Sequence, residues 1–397
     1  MKFAKRVERI KPSPTLAITA KANALRAEGR DIINFGAGEP DFDTPVNIRE
    51  AAVSSIRDGF TRYTPVGGID ELKDAIIKKF QRDNQLIYKR SEIVVSCGAK
   101  HVLYNLAQAL FDEGDEVIIP SPYWVSYPDI VLLSGAVPSI LEAREAEGFK
   151  ITPDQLKAAI NKKTRAIVLN SPSNPTGSTY TFAELKDLAE VIVEKNILVI
   201  SDEIYEKIIY DKFPFSSIAM VNEDVKRLSI VVNGVSKSYA MTGWRIGYAA
   251  GPENIISAMT KIQSQNTSNP TSIAQKAVVE ALNGDQSATG EMVEAFSERR
   301  NYIIDALNEM EDISCMNPDG AFYAFPDVSS LYGRVYNGKT VKDSTSLAEY
   351  FLDVANVAVV PGIAFGNDKH IRLSYATSME NIREGITRIE NAVKNLK

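Results

Sequence analysis

From residue 92 to residue 251 the chain repeats one pattern: a short, continuously apolar run, a polar or glycine-containing turn, then a stretch with helical spacing. EIVVS at 92–96 precedes KHVLYNLAQALF, EVIIP at 116–120 precedes a polar turn, and RAIVLN at 165–170 precedes SPSNPTG. ILVISDE at 197–203, LSIVVNG at 228–234 and IGYAAG at 246–251 continue the series. Apolar runs without alternation mark strands buried on both faces, and strands separated by helices form a mostly parallel sheet between helical layers. The pattern predicts an α/β fold. Near residue 285 the texture changes to a long charged helix, EMVEAFSERRNYIIDALNEM, followed by FYAFP, VAVVP and IRLSY, which predicts a smaller α+β domain. The turn formers around GAGEPDFDTP suggest that the first 45 residues cross between lobes. The expected division is an N-terminal segment of 1–45 that is part of the small domain, a large domain of 46–284 and a small C-terminal domain of 285–397.

A chain of 397 residues is too long for one ordinary core, which agrees with two lobes. A net charge of -6 argues against broad nucleic-acid binding and confines any anion site to a local pocket. Cys97 and Cys315 are too few for a disulfide framework, so a reducing, cytoplasmic setting is expected. The start, MKFAKRVERIKPSPT, is basic without a following apolar stretch and is expected to be neither a signal peptide nor a membrane anchor. His101 and His370 are the only histidines, which excludes a histidine-rich metal site and leaves few ways to build a Ser-His-Asp hydrolase.

Open α/β sheets bind ligands beyond the carboxyl ends of their strands, so strand ends are the informative positions. Four of them carry reactive or polar groups: Cys97 to Lys100, Asn170 to Gly177, Asp202 to Tyr205, and Asn233 to Lys237. Gly98 and Ala99 stand at a strand-to-helix turn, where small residues let free amides approach a phosphate; an ordinary tight turn is the alternative. Asp202 closes a buried run and needs a cationic or hydrogen-bonding partner, such as a protonated ring nitrogen, unless it only caps a helix over EIYEKII. Lys237 lies in VNGVSKSYAMTGWR, where partial burial would make its amine nucleophilic toward an aldehyde, and Arg245 in the same segment suits a phosphate dianion. A solvated lysine and a structural arginine are the alternative. Two motifs mislead. Gly36-Ala37-Gly38 begins a dinucleotide fingerprint, but Glu39-Pro40 blocks the helix that should follow. Gly333 to Thr340, GRVYNGKT, matches the phosphate-loop expression, yet DVSSLY before it is a poor buried strand.

Taken together, GAGEPDFDTP, RYTPVGG, CGAKH, PSPYWVSYP, NSPSNPTG, SDEIYE, SKSYAMTGWRIGY and RLSYATS, in that order from about Arg6 onward, resemble the class I aminotransferases of fold type I. The resemblance is strongest to the bacterial aspartate aminotransferases of the I-beta branch. It implies a large domain on a mostly parallel seven-stranded sheet, pyridoxal 5'-phosphate (PLP) as cofactor, and a homodimer with shared active sites. It implies that Lys237 carries PLP as a Schiff base and moves the substrate α-proton. Asp202 then pairs with the pyridinium nitrogen, Tyr205 and Asn174 donate to the phenolic oxygen, and Trp124 stacks on the ring. Ala99, Lys100, Ser236 and Arg245 fall at the phosphate positions, joined by Tyr63 of the neighbouring subunit. Arg372 matches the arginine that clamps the substrate α-carboxylate, with Gly38, Asn174 and Trp124 beside it. At Ala99 the family often has serine or glycine, so backbone amides are the donors left there.

The implied reaction is reversible transfer of the amino group from L-aspartate to 2-oxoglutarate, giving oxaloacetate and L-glutamate. Aromatic, prephenate, kynurenine or alanine aminotransferases, or a carbon–sulfur lyase, share the scaffold. A transcription regulator on this scaffold would need a DNA-binding module, for which no room is expected before Arg6 or after the last helix. Lys100 stands where I-beta enzymes are thought to read a side-chain carboxylate; a solvated helix-start lysine is the alternative, and Lys11 is a second candidate cation. Small-molecule amino and oxo acids are thus the expected partners, with no membrane or nucleic acid.

Overall fold

The structure, a computed structural model, describes residues 2–10, 12 and 14–397, with only the backbone of 14–16. Lys11 lies outside the described residues. Seven strands form one sheet: β1 (Ile93–Ser96), β2 (Glu116–Ser121), β3 (Val137–Glu142), β4 (Thr164–Asn170), β5 (Leu198–Asp202), β6 (Ser229–Gly234) and β7 (Gly247–Ala250). Their spatial order is β1-β7-β6-β5-β4-β2-β3. Only β7 runs antiparallel to its neighbours. The mostly parallel seven-stranded α/β sheet expected from the sequence is present.

Burial on both faces explains the unbroken apolar runs. On β4, Ala166 and Val168 enter one core while Ile167 and Leu169 enter another, and β6 divides Ile230 and Val232 from Val231 in the same way. Helices at Ala99–Leu110 (α1), Ser126–Ser134 (α2) and Phe182–Lys195 (α3) supply covering layers. The start of α3 is set by a capping box in which the Thr181 side chain accepts from Glu184 N and Glu184 answers to Thr181 N. Leu185, Leu188, Ala189 and Ile192 then bury one face, and Asn196 in the left-handed region ends the helix.

The edge strand β3 was not legible as a strand. Its residues VPSILE carry a proline and alternate between exposed and half-buried positions, so no apolar run announces it. GRVYNGKT forms a small antiparallel hairpin, Val335–Tyr336 against Lys339–Thr340, turning through Asn337 and Gly338 at positive φ. Lys339 and Thr340 lie in its second strand and the next helix starts only at Ser344, so it lacks the geometry of a phosphate loop, whose lysine opens a helix.

The chain from Ser287 onward builds a second unit. A three-stranded antiparallel sheet pairs Ile371–Ser374 with Val360–Pro361 on one side and Tyr323–Ala324 on the other. Behind it lie helices Ser287–Asn308 (α4) and Met379–Lys394 (α5). Ile33–Asn34 pairs in parallel with Val357–Ala358, and Ile33 and Phe35 join the core that residues of 292–396 form with Ile204, Tyr205, Ile208 and Tyr210. Among the described residues no helix is long and apolar enough to cross a membrane.

Behind the carboxyl end of β5, Lys79 of the helix Asp70–Asn84 ion-pairs with Glu206, the two side chains being 2% and 4% exposed. Asn84 also donates to Glu206 at 3.2 Å. The neighbouring Glu203 carboxyl is pushed up to about 7 by burial and by the Glu206 charge. Removing one member of such a pair strands the other without water. Lys79→Met should therefore lower unfolding free energy by about 3–5 kcal/mol in denaturant melts. Lys79→Met/Glu206→Leu should recover most of that loss. A single-variant loss under about 1 kcal/mol would contradict the account.

Candidate active site

Because β7 is antiparallel, its amino end lies on the same edge of the sheet as the carboxyl ends of β1, β4, β5 and β6. The topology thus gathers Ala99, Asn174, Asp202, Lys237 and Arg245 around one crest, as the strand-end argument anticipated. Beyond that crest lies a cavity of about 420 Å³, walled on its far side by the Gly36–Glu39 segment, Tyr323 and Arg372. Eleven of the expected cofactor and substrate residues line it: Gly38, Ala99, Lys100, Trp124, Asn174, Asp202, Tyr205, Ser236, Lys237, Arg245 and Arg372. Tyr63 is 92% exposed and elsewhere. Neither histidine lines the cavity.

Asp202 ends β5 and is 3% exposed. Burial pushes its carboxyl up to about 6, opposed by a hydrogen bond from the Tyr127 hydroxyl at 2.7 Å, by the Ile204 amide and by the Lys237 charge. No helix directly follows Asp202; residues 204–207 form a turn, so the capping role considered from sequence does not apply. Lys237 donates to the Gly38 carbonyl, and burial brings its ammonium down to about 8, with Glu39 opposing the shift and Arg372 and Arg245 adding to it. Glu39 is itself held by the Thr242 hydroxyl at 2.7 Å.

The floor of the cavity depends on glycine. The α1 amides of Ala99 and Lys100 precede the first bonds within the helix, which run from His101 and Val102 to the Gly98 carbonyl. A Cβ at Gly247 would stand 2.2 Å from Ala99 N, and one at Gly98 would stand 2.2 Å from Arg245 Nη2. Two glycines thus let the helix start and a guanidinium crowd together, the arrangement an anion needs. Arg245, in the left-handed region, donates to the Thr242 carbonyl at 2.7 Å and to the Cys97 carbonyl at 3.3 Å. Lys100 places its ammonium 4.9 Å from the Trp124 ring centroid. Burial and Arg245 lower its pKa, and Asp129 opposes them. Trp124 meets Tyr127 edge-on at 5.3 Å.

Arg372 occupies the middle strand of the small sheet, where Ile371 and Leu373 turn into the core. It is 2% exposed, lies 4.4 Å from the Tyr323 ring centroid and 5.0 Å from that of Phe365, and donates to Asn174 Oδ1 and the Gly36 carbonyl at 2.9 Å each. Its Nε has no partner. A buried guanidinium with a donor left over is poised for an anion in the cavity.

Sequence reasoning missed Tyr127, Tyr323 and Glu39, and named Asn170 only as the start of a polar strand end. Tyr127 could have been found, since it follows Trp124 by less than a helical turn in PSPYWVSYP. Asn170, at the end of β4, fastens the crest by donating to the Asp202 carbonyl and accepting from the Asn174 amide at 2.9 and 2.8 Å. Tyr323 in FYAFP reads like any core aromatic.

A profile of the family described as aminotransferase class I and II matches residues 30–389. The chain belongs to that family and is an aminotransferase. It is 53% identical over 392 residues to an aspartate aminotransferase of Bacillus sp. (strain YM-2), covering 99% of each chain. It is likewise 53% identical over 392 residues to an aspartate/prephenate aminotransferase of Nitrosomonas europaea, covering 98% of this chain and 99% of the relative. The crystal structure of the aspartate aminotransferase from Rhizobium meliloti superposes with a TM-score of 0.97 at 45% identity, covering 100% of both chains.

The depressed pKa makes a chemical prediction. Below about pH 8 the Lys237 amine is mostly protonated and inert, and above it the amine is neutral and nucleophilic. In protein free of bound aldehyde, acylation of Lys237 followed by peptide mass mapping should show a rate midpoint near pH 8. A midpoint above about pH 10, as for surface lysines, would contradict the burial argument.

Proposed function

We propose that the protein is a PLP-dependent aspartate aminotransferase that reversibly transfers the amino group of L-aspartate to 2-oxoglutarate, giving oxaloacetate and L-glutamate. The observation that carries this is one cavity bounded by a buried lysine, a buried carboxylate and an arginine with an unpartnered Nε. These groups fit PLP: an amine for its aldehyde, a carboxylate for its ring nitrogen, and a glycine-lined helix start with Arg245 for its phosphate. Bound PLP supplies a ring that accepts the electron pair left when the substrate Cα–H bond breaks.

Within this proposal Asp202 would keep the ring nitrogen protonated, and Trp124, which lines the same cavity, would cover the ring. Tyr205 and Asn174 face the phenolic oxygen; Asn174 Oδ1 already accepts from Arg372, which leaves its Nδ2 to donate. The amides of Ala99 and Lys100, with Ser236 and Arg245, hold the phosphate. Lys237 would hold PLP through its amine and would serve as the base that takes up and gives back the proton at the substrate Cα. Arg372 and the Gly38 backbone orient the α-carboxylate, and that orientation turns binding into reaction geometry. Lys100 receives the side-chain carboxylate, because a second carboxylate entering the cavity loses hydration and needs a cation.

The homodimer belongs to the same proposal: Tyr63, nearly fully exposed, is free to reach a partner's phosphate site. So does the division into a large domain of 46–284 and a small domain of 1–45 with 285–397, supported by the pairing of 33–34 with 357–358. Two unpaired cysteines support a cytoplasmic location. Prephenate is a second acceptor worth testing, because the similarly close Nitrosomonas relative is named for it.

Steady-state assays over a panel of donors should give aspartate the highest kcat/KM with 2-oxoglutarate; a clear preference for phenylalanine would overturn the substrate assignment. Asp202→Ala should slow turnover by at least ~10²-fold while the protein still binds PLP. Lys100→Ser should cost about 1.5–3 kcal/mol in aspartate kcat/KM and leave aromatic donors nearly unchanged. An equal loss for aspartate and phenylalanine would move Lys100 to the phosphate.

A further inference from the structure

Tyr323 reaches the cavity from the small three-stranded sheet, and its hydroxyl oxygen lies 2.7 Å from that of Tyr205. Both side chains are buried. The Arg372 guanidinium stands 4.4 Å from the Tyr323 ring centroid, and the Tyr205 and Tyr323 rings meet edge-on at 5.8 Å. The Tyr323 ring is therefore fixed on two sides, and its hydroxyl with it.

Each phenol has one proton. In the reading above, on which this inference rests, Tyr205 directs its proton to the phenolic oxygen of PLP. The 2.7 Å contact must then be made with the proton of Tyr323, donated to the Tyr205 oxygen. We propose that Tyr323 is a positioning residue that orients the Tyr205 hydroxyl toward the cofactor and strengthens its donation. The strengthening follows from polarisation: a hydroxyl that accepts a hydrogen bond is a better donor, and in a site shielded from water the effect is not dissipated. The sheet that carries Arg372 thereby also sets the hydrogen bonding offered to the phenolic oxygen, through the adjacent strand.

The test is the pH midpoint of the visible absorption of PLP-loaded protein, read for four proteins: the parent, Tyr205→Phe, Tyr323→Phe and the double variant. A donor on the phenolic oxygen disperses its charge and weakens its hold on the proton of the neighbouring nitrogen, so loss of the donor raises the midpoint. Tyr205→Phe should raise it most. Tyr323→Phe should raise it by about 0.3–1 pH unit, because one bond of the chain is weakened and none to the cofactor is lost. The double variant should match Tyr205→Phe alone, since Tyr323 acts only through the Tyr205 oxygen. The ring retained in Tyr323→Phe keeps its contact with Arg372, so maleate should bind within about twofold of the parent. A shifted Tyr205→Phe beside an unshifted Tyr323→Phe, or shifts that add in the double variant, would overturn the relay and leave the function intact. Weakened maleate binding that accounts for the Tyr323→Phe shift would overturn it too. An unshifted Tyr205→Phe would overturn the role of Tyr205 and the relay with it.

Discussion

Asp202, Lys237 and Arg372 are held out of water around one cavity, and none of them has a full-strength counter-charge of its own. Asp202 is answered by a phenol and an amide, Lys237 by a carbonyl, and Arg372 by an amide oxygen and a carbonyl. Burial accordingly moves each pKa toward the neutral form, upward for the carboxyl and downward for the amine and the guanidinium. In the proposed function a ligand would answer each of them: a protonated ring nitrogen for Asp202, an aldehyde that reacts with the neutral Lys237 amine, and a carboxylate for Arg372. The rest of the structure is arranged to keep these three groups where that exchange is possible.

Two features of the backbone secure the arrangement. The lone antiparallel strand brings Arg245 back to the crest where the parallel strands end, and Gly98 and Gly247 allow the close approach there. Beneath it, the Lys79–Glu206 pair ties the segment carrying Asp202 and Tyr205 to a helix of the large sheet's outer layer. From the other side, the Gly36–Gly38 carbonyls meet Arg372 and Lys237, so the N-terminal segment closes the cavity between the two sheets.

Much of this is legible in the sequence. Unbroken apolar runs such as IVV at 230–232 and LVI at 198–200 announced strands buried on two faces, and reactive groups at their ends announced the crest. β3 was missed because an edge strand buries too little to need an apolar run. Asp202 was open to a helix-cap reading because EIYEKII has helical spacing, while tertiary packing turns the chain instead. The capture of Arg372 by Asn174 and the contact of Tyr323 with Tyr205 join residues far apart in sequence, and no local pattern encodes such distances. Aromatics in FYAFP carry the same signal whether they fill a core or face a ligand.

The central claim is that Lys237 is the residue bonded to the cofactor's aldehyde carbon. Reduction of PLP-loaded protein with borohydride fixes that bond, and peptide mapping then locates it. The account predicts a single phosphopyridoxyl label on Lys237 and loss of the label in Lys237→Ala. A label on Lys100 or any other lysine, with Lys237 unmodified, would contradict it.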